Sequence, residues 1–360
     1  GTCGGGSLQQ RGSHFADQPR RSGPADAEAV ACLWKEHMAV RETVGWYYWT
    51  HQLLEVNGPD AAAFLDRLYA NPIGNLKVGR ERYTTMLNEE AEIIDDVVIF
   101  RLEEKKFWVS TLFLKKLVKW MDAHKGTFDV SYEDVTPKFD MYAVQGPKSK
   151  ELVNALVETP VDDLKFFSFA ENKVDGVPVI VNRAGFSGEK FGYEIYIEPA
   201  KEEMLEAKLG EAAAPLSGEQ VTDFQIMAWT LPTEKGFYYM RDLMHTNPLE
   251  VGLDKGIGWD KGFIGKEALL KIKEEGIKHI MVGFTMEEAD VRINGKDLGG
   301  PGTAVFKDGE EIGRVSKCNY SYVLDKVIGY IYAKAGTVSE GDTVMIRGAE
   351  AKICKTVFLP

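Results

Sequence analysis

Apolar residues change their spacing several times along this chain, and each change predicts an element. LLEVNG (53–58) reads as a strand running into a Gly-Pro turn, and AAAFLDRLYA (61–70), with apolar residues on one helical face, reads as a helix. TTMLNE and IIDDVVIFRLEEKKFWVS are rich in β-branched and aromatic residues and predict further strands, followed by an amphipathic helix, LFLKKLVKWMDAH (112–124). MYAVQG (141–146) is again a strand and leads through Pro147 into the helix KSKELVNALVE (148–158). KEALLKIKEE (266–275) places Ala268, Leu269 and Ile272 on one helical face, with Lys and Glu on the other. From about 279 the chain is strand-rich, with hairpin turns expected at Asn294-Gly295 and Asp308-Gly309 and a hairpin over VFKDGEEIGRVS (305–316).

One pattern occurs twice. EVNGPDAAAFLDRL (55–68) and AVQGPKSKELVNAL (143–156) share Val-x-Gly-Pro and then apolar residues at matching helical positions. Each copy is a strand, a glycine that tolerates an unusual backbone angle, a proline at the helix start and an amphipathic helix. A repeat of this kind predicts two related α+β halves about a pseudo-twofold axis, followed by a small C-terminal β-barrel or sandwich. The divisions expected are a disordered tail over 1–25, the halves over 26–140 and 141–278, and the β domain over 279–360.

Composition narrows the function classes. The 360 residues, 44% hydrophobic and 27% charged, are those of a soluble multidomain protein. A net charge of −12 argues against a nucleic-acid or anionic-membrane surface. The four cysteines show no CxxC spacing, which suggests reduced thiols in a cytoplasm. The six histidines form no HxxxH or HExxH pair, so no metal site is expected. No phosphate-loop motif and no GxSxG elbow occurs.

Two features carry candidate chemistry. In NEEAEIIDDVVIF (88–100), Asp95 and Asp96 sit inside an apolar strand, where alternation lets only one of them point at a given face. Both are solvated at a turn, or one is aimed into a pocket. Glu194 in GEKFGYEIYIEP (188–199) precedes an alternating run much as Asp96 does, so two halves would bring two acids toward one cleft. The aromatic run Trp46, Tyr47, Tyr48, Trp49, with His51 beside it, walls a planar or cationic ligand or else fills a domain junction.

Several motifs in order resemble the glycine-cleavage T-protein (aminomethyltransferase, GcvT-like) family. They are MAVRETVG, NGPDAAAFLDRL, RERYTTMLNEEAEIIDDVVIF, QGPKSKELV, NRAGFSGEKFGYEIY, HTNPLEVGL with GFIGKEALLK, and KDGEEIGRVSKCNYS. The resemblance covers residue 38 to the end and implies an α+β, three-domain cloverleaf around a central tetrahydrofolate pocket. It implies that Asp96 lies near the pterin N5, that Glu194 holds the pterin ring, and that Tyr83 belongs to the folate pocket, with Val98 and Phe186 as further folate contacts. A carboxylate suits the pterin because its aminopyrimidinone edge presents paired N–H donors.

This chain departs from the T-protein pattern on the donor side. Tyr48-Trp49-Thr50-His51-Gln52 stands where that family carries D-x-S-H-M, and its G-A-R-D motif aligns with Gln225-Ile226-Met227-Ala228, which puts Met227 in place of the arginine. STLFL (110–114) stands for an asparagine-containing segment. These differences resemble the tetrahydrofolate-dependent demethylases of the dimethylsulfoniopropionate type. The expected function is therefore methyl transfer from a small methylated donor to N5 of tetrahydrofolate, with Asp96, His51, Tyr47 and Tyr48 as catalytic candidates. For a methyl ether, one of the last three would protonate the leaving oxygen. The alternatives are an aminomethyltransferase acting on a lipoyl carrier protein and a non-catalytic folate-binding accessory protein, whose K-G-C-[FYW]-x-G-[QE]-E motif is absent here.

Overall fold

The computed structural model describes residues 27–49, 51–287 and 300–360. The 1–25 tail and the Asn294-Gly295 turn lie outside the described residues. After α1 (Ala27–Glu42) and β1 (Gly45–Tyr48), the first half runs β2 (Gln52–Asn57), α2 (Ala61–Leu68), β3 (Glu81–Leu87), β4 (Ile93–Glu103), β5 (Lys106–Thr111), α3 (Leu114–His124) and β6 (Ser131–Asp134). The second runs β7 (Asp140–Gln145), α4 (Ser149–Leu156), β8 (Phe169–Val174), β9 (Val177–Asn182), β10 (Gly192–Ile197), α5 (Glu202–Ala213) and β11 (Glu219–Gln220). The sheet orders are β3-β4-β5-β2-β6 and β8-β9-β10-β7-β1-β11, one arrangement used twice. The helix α1 packs on β1, whose strand pairs with β7 and β11, so this N-terminal segment completes the second sheet rather than the first.

The repeat extends to backbone detail. Gly58 and Gly146 take φ of 134° and 129°, and the residues entering the two helices, Asp60 and Lys148, take φ of −102° and −100°. Beyond the helices, Asp66 accepts from the Ile73 N–H as Asn154 accepts from that of Val161. Glu81 N–H donates to Phe167 O at 2.9 Å and Phe169 N–H to Gly79 O at 3.0 Å, on either side of an Arg80–Ser168 bridge. Reciprocal bonds of that kind put the pseudo-twofold axis through the bridge.

Each sheet buries its outer face under its own helices, α2 and α3 on one and α4 and α5 on the other, through leucines and β-branched residues. The inner faces meet through Leu53, Phe100 and Trp108 on one side and Met141 and Tyr196 on the other. The connection to the last domain contains a single turn of π-helix (Ile226–Thr230), α6 (Leu231–Glu234), α7 (Met240–Leu243) and α8 (Lys266–Glu275). Leu269 is buried in α8, with Ala268 and Ile272 packed beside it as the sequence pattern predicts.

The C-terminal domain is a closed barrel, β12 (His279–Met286), β15 (Lys326–Lys334), β14 (Glu310–Ser321), β13 (Ala304–Lys307), β16 (Thr343–Ile346) and β17 (Ala349–Cys354) in spatial order. Asp308 and Gly309 turn its β13–β14 hairpin with φ of 51° and 82°, the paired positive angles that an Asp-Gly hairpin uses. Closure removes free strand edges, and Tyr47, Ile226 and Met227 pack into the same core as the barrel interior.

Glu234 ties these parts together. It accepts from His37 Nε2 at 2.7 Å, Arg41 Nε at 3.1 Å and the Ser321 hydroxyl, so α1, α6 and the barrel converge on one buried carboxylate. Burial alone would raise its pKa, but the His37 and Arg41 interactions outweigh it and hold the group below the usual carboxylate range. No helix among the described residues is long and apolar enough to cross a membrane. Cys318 and Cys354 are free thiols.

Candidate functional site

Strand alternation separates the two aspartates of β4. Asp95 faces outward into the helix-covered layer, is 4% exposed, and accepts from the Thr111 hydroxyl at 2.8 Å and from the Asp96 N–H at 2.9 Å. Burial, followed by the nearby Asp96 charge, pushes its carboxyl up to about 8. Asp96 points the other way and accepts from the Tyr83 hydroxyl at 2.8 Å. Burial pushes it up to about 6, opposed by the Tyr83 hydrogen bond and reinforced by the charge of Asp242. At neutral pH the pair therefore holds a proton on Asp95 and a carboxylate on Asp96.

Asp96, Tyr83, Glu194 and Tyr239 are each half-buried, with part of their surface still open to water, and together they are the candidate lining of a cavity. Asp96, Val98 and Tyr83 come from the inner face of the first sheet, where Tyr83 pairs with Val98. From the second sheet, one cross-strand row carries Tyr47, Ala143, Glu194, Asn182 and Phe169. Asn182 Nδ2 donates to Glu194 Oε1 at 2.8 Å; burial raises the Glu194 acid and this bond opposes the rise. Burial and then the nearby Tyr47, Asp242 and Asp96 raise the Tyr239 hydroxyl, and burial and then Glu194 raise that of Tyr47.

Glu194 is not the repeat counterpart of Asp96. Glu55 and Ala143 occupy matching positions of the repeat, and they pair with Trp108 and Glu194 respectively. The second acid therefore stands where the first half has Trp108, and the cleft is asymmetric within a symmetric frame.

The remaining predicted residues divide by strand face. Tyr47 and Trp49 lie on the cavity side of β1 with rings 6.0 Å apart, and Phe186 stands 6.3 Å from Trp49 and 5.0 Å from Tyr239. Trp229, presented by the π-helical turn, continues this wall 5.1 Å from Tyr239. Tyr48 is turned to the opposite face, where it donates to Asp140 Oδ1 at 3.1 Å and meets Tyr142 edge-on. His51 is 8% exposed against Tyr196, its Nε2 has no hydrogen-bond partner, and burial lowers it to about 4, so it is neutral. Met227 is buried in the core shared with the barrel, against which Trp49, Trp229 and Tyr239 also pack.

Three further participants are not marked by residue type in the sequence, although Lys317 and Glu81 lie inside quoted motifs. A bulge in β14 between Val315 and Lys317 turns the Lys317 ammonium inward, 3.0 Å from Asp242 Oδ2 and over the rings of Tyr330, Tyr239 and Trp229 at 5.0, 5.2 and 5.8 Å. Burial lowers the Lys317 pKa, and the Asp242 charge opposes the fall. Asp242 also accepts from Ser316 Oγ at 2.6 Å and from the Tyr239 N–H at 3.0 Å. Glu81, two residues before Tyr83 and on the same strand face, is the third. Among the described residues no group of three or more His, Cys, Asp or Glu side chains could hold a metal.

A cavity with two ionisable carboxylates and aromatic faces fits a pterin, whose edge donates N–H groups and whose ring stacks. Residues 9–261 match the GCVT N-terminal domain family, and residues 281–359 match the glycine cleavage T-protein C-terminal barrel domain. The aminomethyltransferase of Thermotoga maritima is 32% identical over 338 residues, covering 91% of this chain and 89% of that protein. That of Thermoanaerobacter pseudethanolicus is 32% identical over 348 residues, covering 88% and 86%. The crystal structure of glycine cleavage system aminomethyltransferase T from Bartonella henselae superposes with a TM-score of 0.78 at 23% identity over 91% of this chain and 89% of that one, and has the same fold.

Proposed function

Because the chain belongs to the glycine cleavage T-protein family and is a tetrahydrofolate-dependent one-carbon transferase, we propose that its cavity performs aminomethyl transfer, the activity for which its relatives are named. The reading is supported by the pair of enclosed acids, Asp96 on Tyr83 and Glu194 on Asn182, one on the inner face of each sheet. Tetrahydrofolate supplies N5 as the acceptor of the one-carbon unit. Glu194 accepts from the pterin edge, while Val98, Phe186 and Tyr83 form its surroundings. Asp96, ionised above about 6, orients the amine and takes up or steadies positive charge beside it. The Tyr83 hydroxyl stays protonated because burial and then the Asp96 charge raise it, so it remains a donor that fixes the Asp96 rotamer. Holding donor and acceptor together in a closed space supplies much of the rate, roughly 7 to 11 kcal/mol in the best intramolecular cases.

A second reading, the small methylated donor expected from the sequence, is favoured by one observation. The wall Trp49–Phe186–Tyr239–Trp229 is aromatic and suits a methylated cation or a flat donor. The relatives favour aminomethyl transfer over this reading.

The two are separated by giving the enzyme tetrahydrofolate with either an aminomethyl-loaded lipoyl carrier protein or pooled methyl donors. Ammonia release with the carrier supports the first. Methyltetrahydrofolate detected by mass with the pool, and no ammonia with the carrier, supports the second. If tetrahydrofolate fails to bind in calorimetry, both are lost.

A further inference from the structure

One lysine of the barrel is buried where a charge is costly, and the transfer chemistry does not use it. The Lys317 side chain is 3% exposed and that of Asp242 is 1% exposed, with 3.0 Å between Nζ and Oδ2. Lysine is almost never fully buried unless paired, and even a pair costs desolvation. The bulge between Val315 and Lys317 provides the route, because it breaks the alternation of β14 and turns the side chain inward.

The ammonium sits in a joint between domains. On the barrel side lies Tyr330 of β15, its ring 5.0 Å from Nζ and its hydroxyl donating to Phe237 O at 2.8 Å. On the other side lie Tyr239 and Trp229, at 5.2 and 5.8 Å, both from the segment that connects the second half to the barrel. Asp242 belongs to α7, which packs against β14 and also against β4, the strand of Asp96. Just beyond α7, Thr246 O accepts from the Ile93 N–H at 2.8 Å, so this segment is tied to the start of β4.

Lys317, Asp242 and Tyr239 close a ring of contacts. Asp242 Oδ2 receives both the Lys317 ammonium and the Tyr239 N–H, the latter at 3.0 Å, while Oδ1 accepts from Ser316 Oγ at 2.6 Å. Asp242 thereby holds the Tyr239 backbone, and Lys317 holds the Tyr239 ring by its face. That ring meets Phe186 at 5.0 Å and Trp229 at 5.1 Å, and Phe186 stacks on Phe237 at 5.4 Å. Tyr239 is thus the ring through which the two ends of the aromatic wall touch. A second cation, the Arg241 guanidinium, lies 4.8 Å from the Trp229 ring.

We propose that Lys317 is a positioning residue for the one-carbon donor: through Asp242, and by its own contact with the ring, it lets the barrel fix Tyr239 in the aromatic wall. The proposal rests on aminomethyl transfer as the reaction, with the donor on the aromatic side of the cavity. It makes the barrel a working part of the donor site rather than a cap on the two halves.

The test combines kinetics with the aminomethyl-loaded lipoyl carrier protein, tetrahydrofolate calorimetry and crystal structures, all on the full chain. Lys317→Met strands the Asp242 carboxylate and lowers Tm. Combined with Asp242→Asn it is free of charge, and the new amide still accepts from the Tyr239 N–H and bonds Ser316, so most of that Tm returns. The donor KM of this double variant stays raised about tenfold, with kcat within about threefold and tetrahydrofolate affinity within about twofold of wild type. Its crystal structure shows the Tyr239 ring displaced from the wild-type rotamer. Tyr239→Ala raises the donor KM to a similar degree, and adding the double substitution to it changes KM by less than about twofold, because the pair acts through that ring. Should Lys317→Met fail to fold, the double and triple variants decide.

A double variant that regains both Tm and donor KM makes the pair a structural link only and overturns the proposal. So does a further rise in KM on the Tyr239→Ala background, or a wild-type KM in Tyr239→Ala itself. If the wild type releases no ammonia with the carrier, aminomethyl transfer falls, and the crystal structures then decide on Lys317: an unmoved Tyr239 ring in the double variant overturns its role, and a displaced one supports it.

Discussion

Tyr83 donates its hydroxyl to Asp96 at 2.8 Å across the β3–β4 ladder, and this bond opposes the effect of burial on that acid. The hydrogen bond favours the ionised form, while burial favours the neutral one and wins, leaving the group near 6. Turnover is therefore expected to rise through about pH 6 as Asp96 loses its proton. Tyr83→Phe removes the stabilising bond and should move that acid limb up by about one unit. Asp96→Asn should cost on the order of a hundredfold or more in kcat. A pH–rate profile of the three proteins checks both, and an unmoved limb in Tyr83→Phe would refute the coupling.

Asp95 should show itself in stability rather than in turnover. Its folded-state value is near 8, against an ordinary 3.8, so the folded protein keeps a proton that the unfolded chain gives up. The sign is then fixed: stability falls as pH rises from about 4 to about 8. Asp95→Asn removes that slope, an effect on the order of a few kcal/mol across the window. Tm measured at pH 5 and pH 8.5 should converge in the variant relative to wild type.

The Glu234 hub predicts the opposite sign. Its acid is held below the ordinary range by His37 and Arg41, so its contribution is complete above that range and lost as pH falls through the folded value. Glu234→Gln removes the carboxylate that accepts from His37, Arg41 and Ser321, leaving Arg41 with Glu189 alone, and should destabilise by about 3 kcal/mol. Urea unfolding at neutral pH measures it; a loss below about 1 kcal/mol would contradict the hub.

The repeated glycines should be intolerant for the same reason in both halves. A Cβ on Gly58 would stand 2.4 Å from Asp129 O, and one on Gly146 would stand 2.6 Å from Val40 O, both at positive φ. Alanine at either site should cost more than about 2 kcal/mol. Gly176→Ala, at φ +76° in open space, should cost about 1 kcal/mol. Equal losses at all three would mean that the close approach is not what matters.

Trp229→Ala opens the aromatic wall without touching Asp96 or Glu194. Its expected effect is a rise of about tenfold in KM for the one-carbon donor, with tetrahydrofolate affinity within about twofold. A loss confined to folate binding would move Trp229 to the folate side.

Much of the fold was legible because it rests on local rules. The Val-x-Gly-Pro repeat predicted paired strand–helix units, and Gly58 and Gly146 adopt almost the same angle. Alternation along IIDD predicted that one aspartate would face away, and Asp95 does so under Thr111. The Glu194 register was not legible: the repeat that equates β2 with β7 makes it the partner of Trp108's position, which only the ladder pairings reveal. Nor could the aromatic run be divided, since one residue of shift on β1 decides that Tyr47 and Trp49 meet the cavity while Tyr48 meets Asp140.

By itself, then, the sequence determined the α+β halves, the closing barrel and the membership of a folate-dependent family, because periodicity, turn chemistry and motif order are properties of neighbours along the chain. The tertiary structure alone decided what the acids are. Asp95, Asp96 and Glu194 are the same functional group three times over; burial, one threonine, one tyrosine and one asparagine from distant segments give each a different set of partners. Dielectric environment and hydrogen-bond partners are set by what lies across the cavity, and a bulge such as the one that turns Lys317 inward has no signature in the residues that form it.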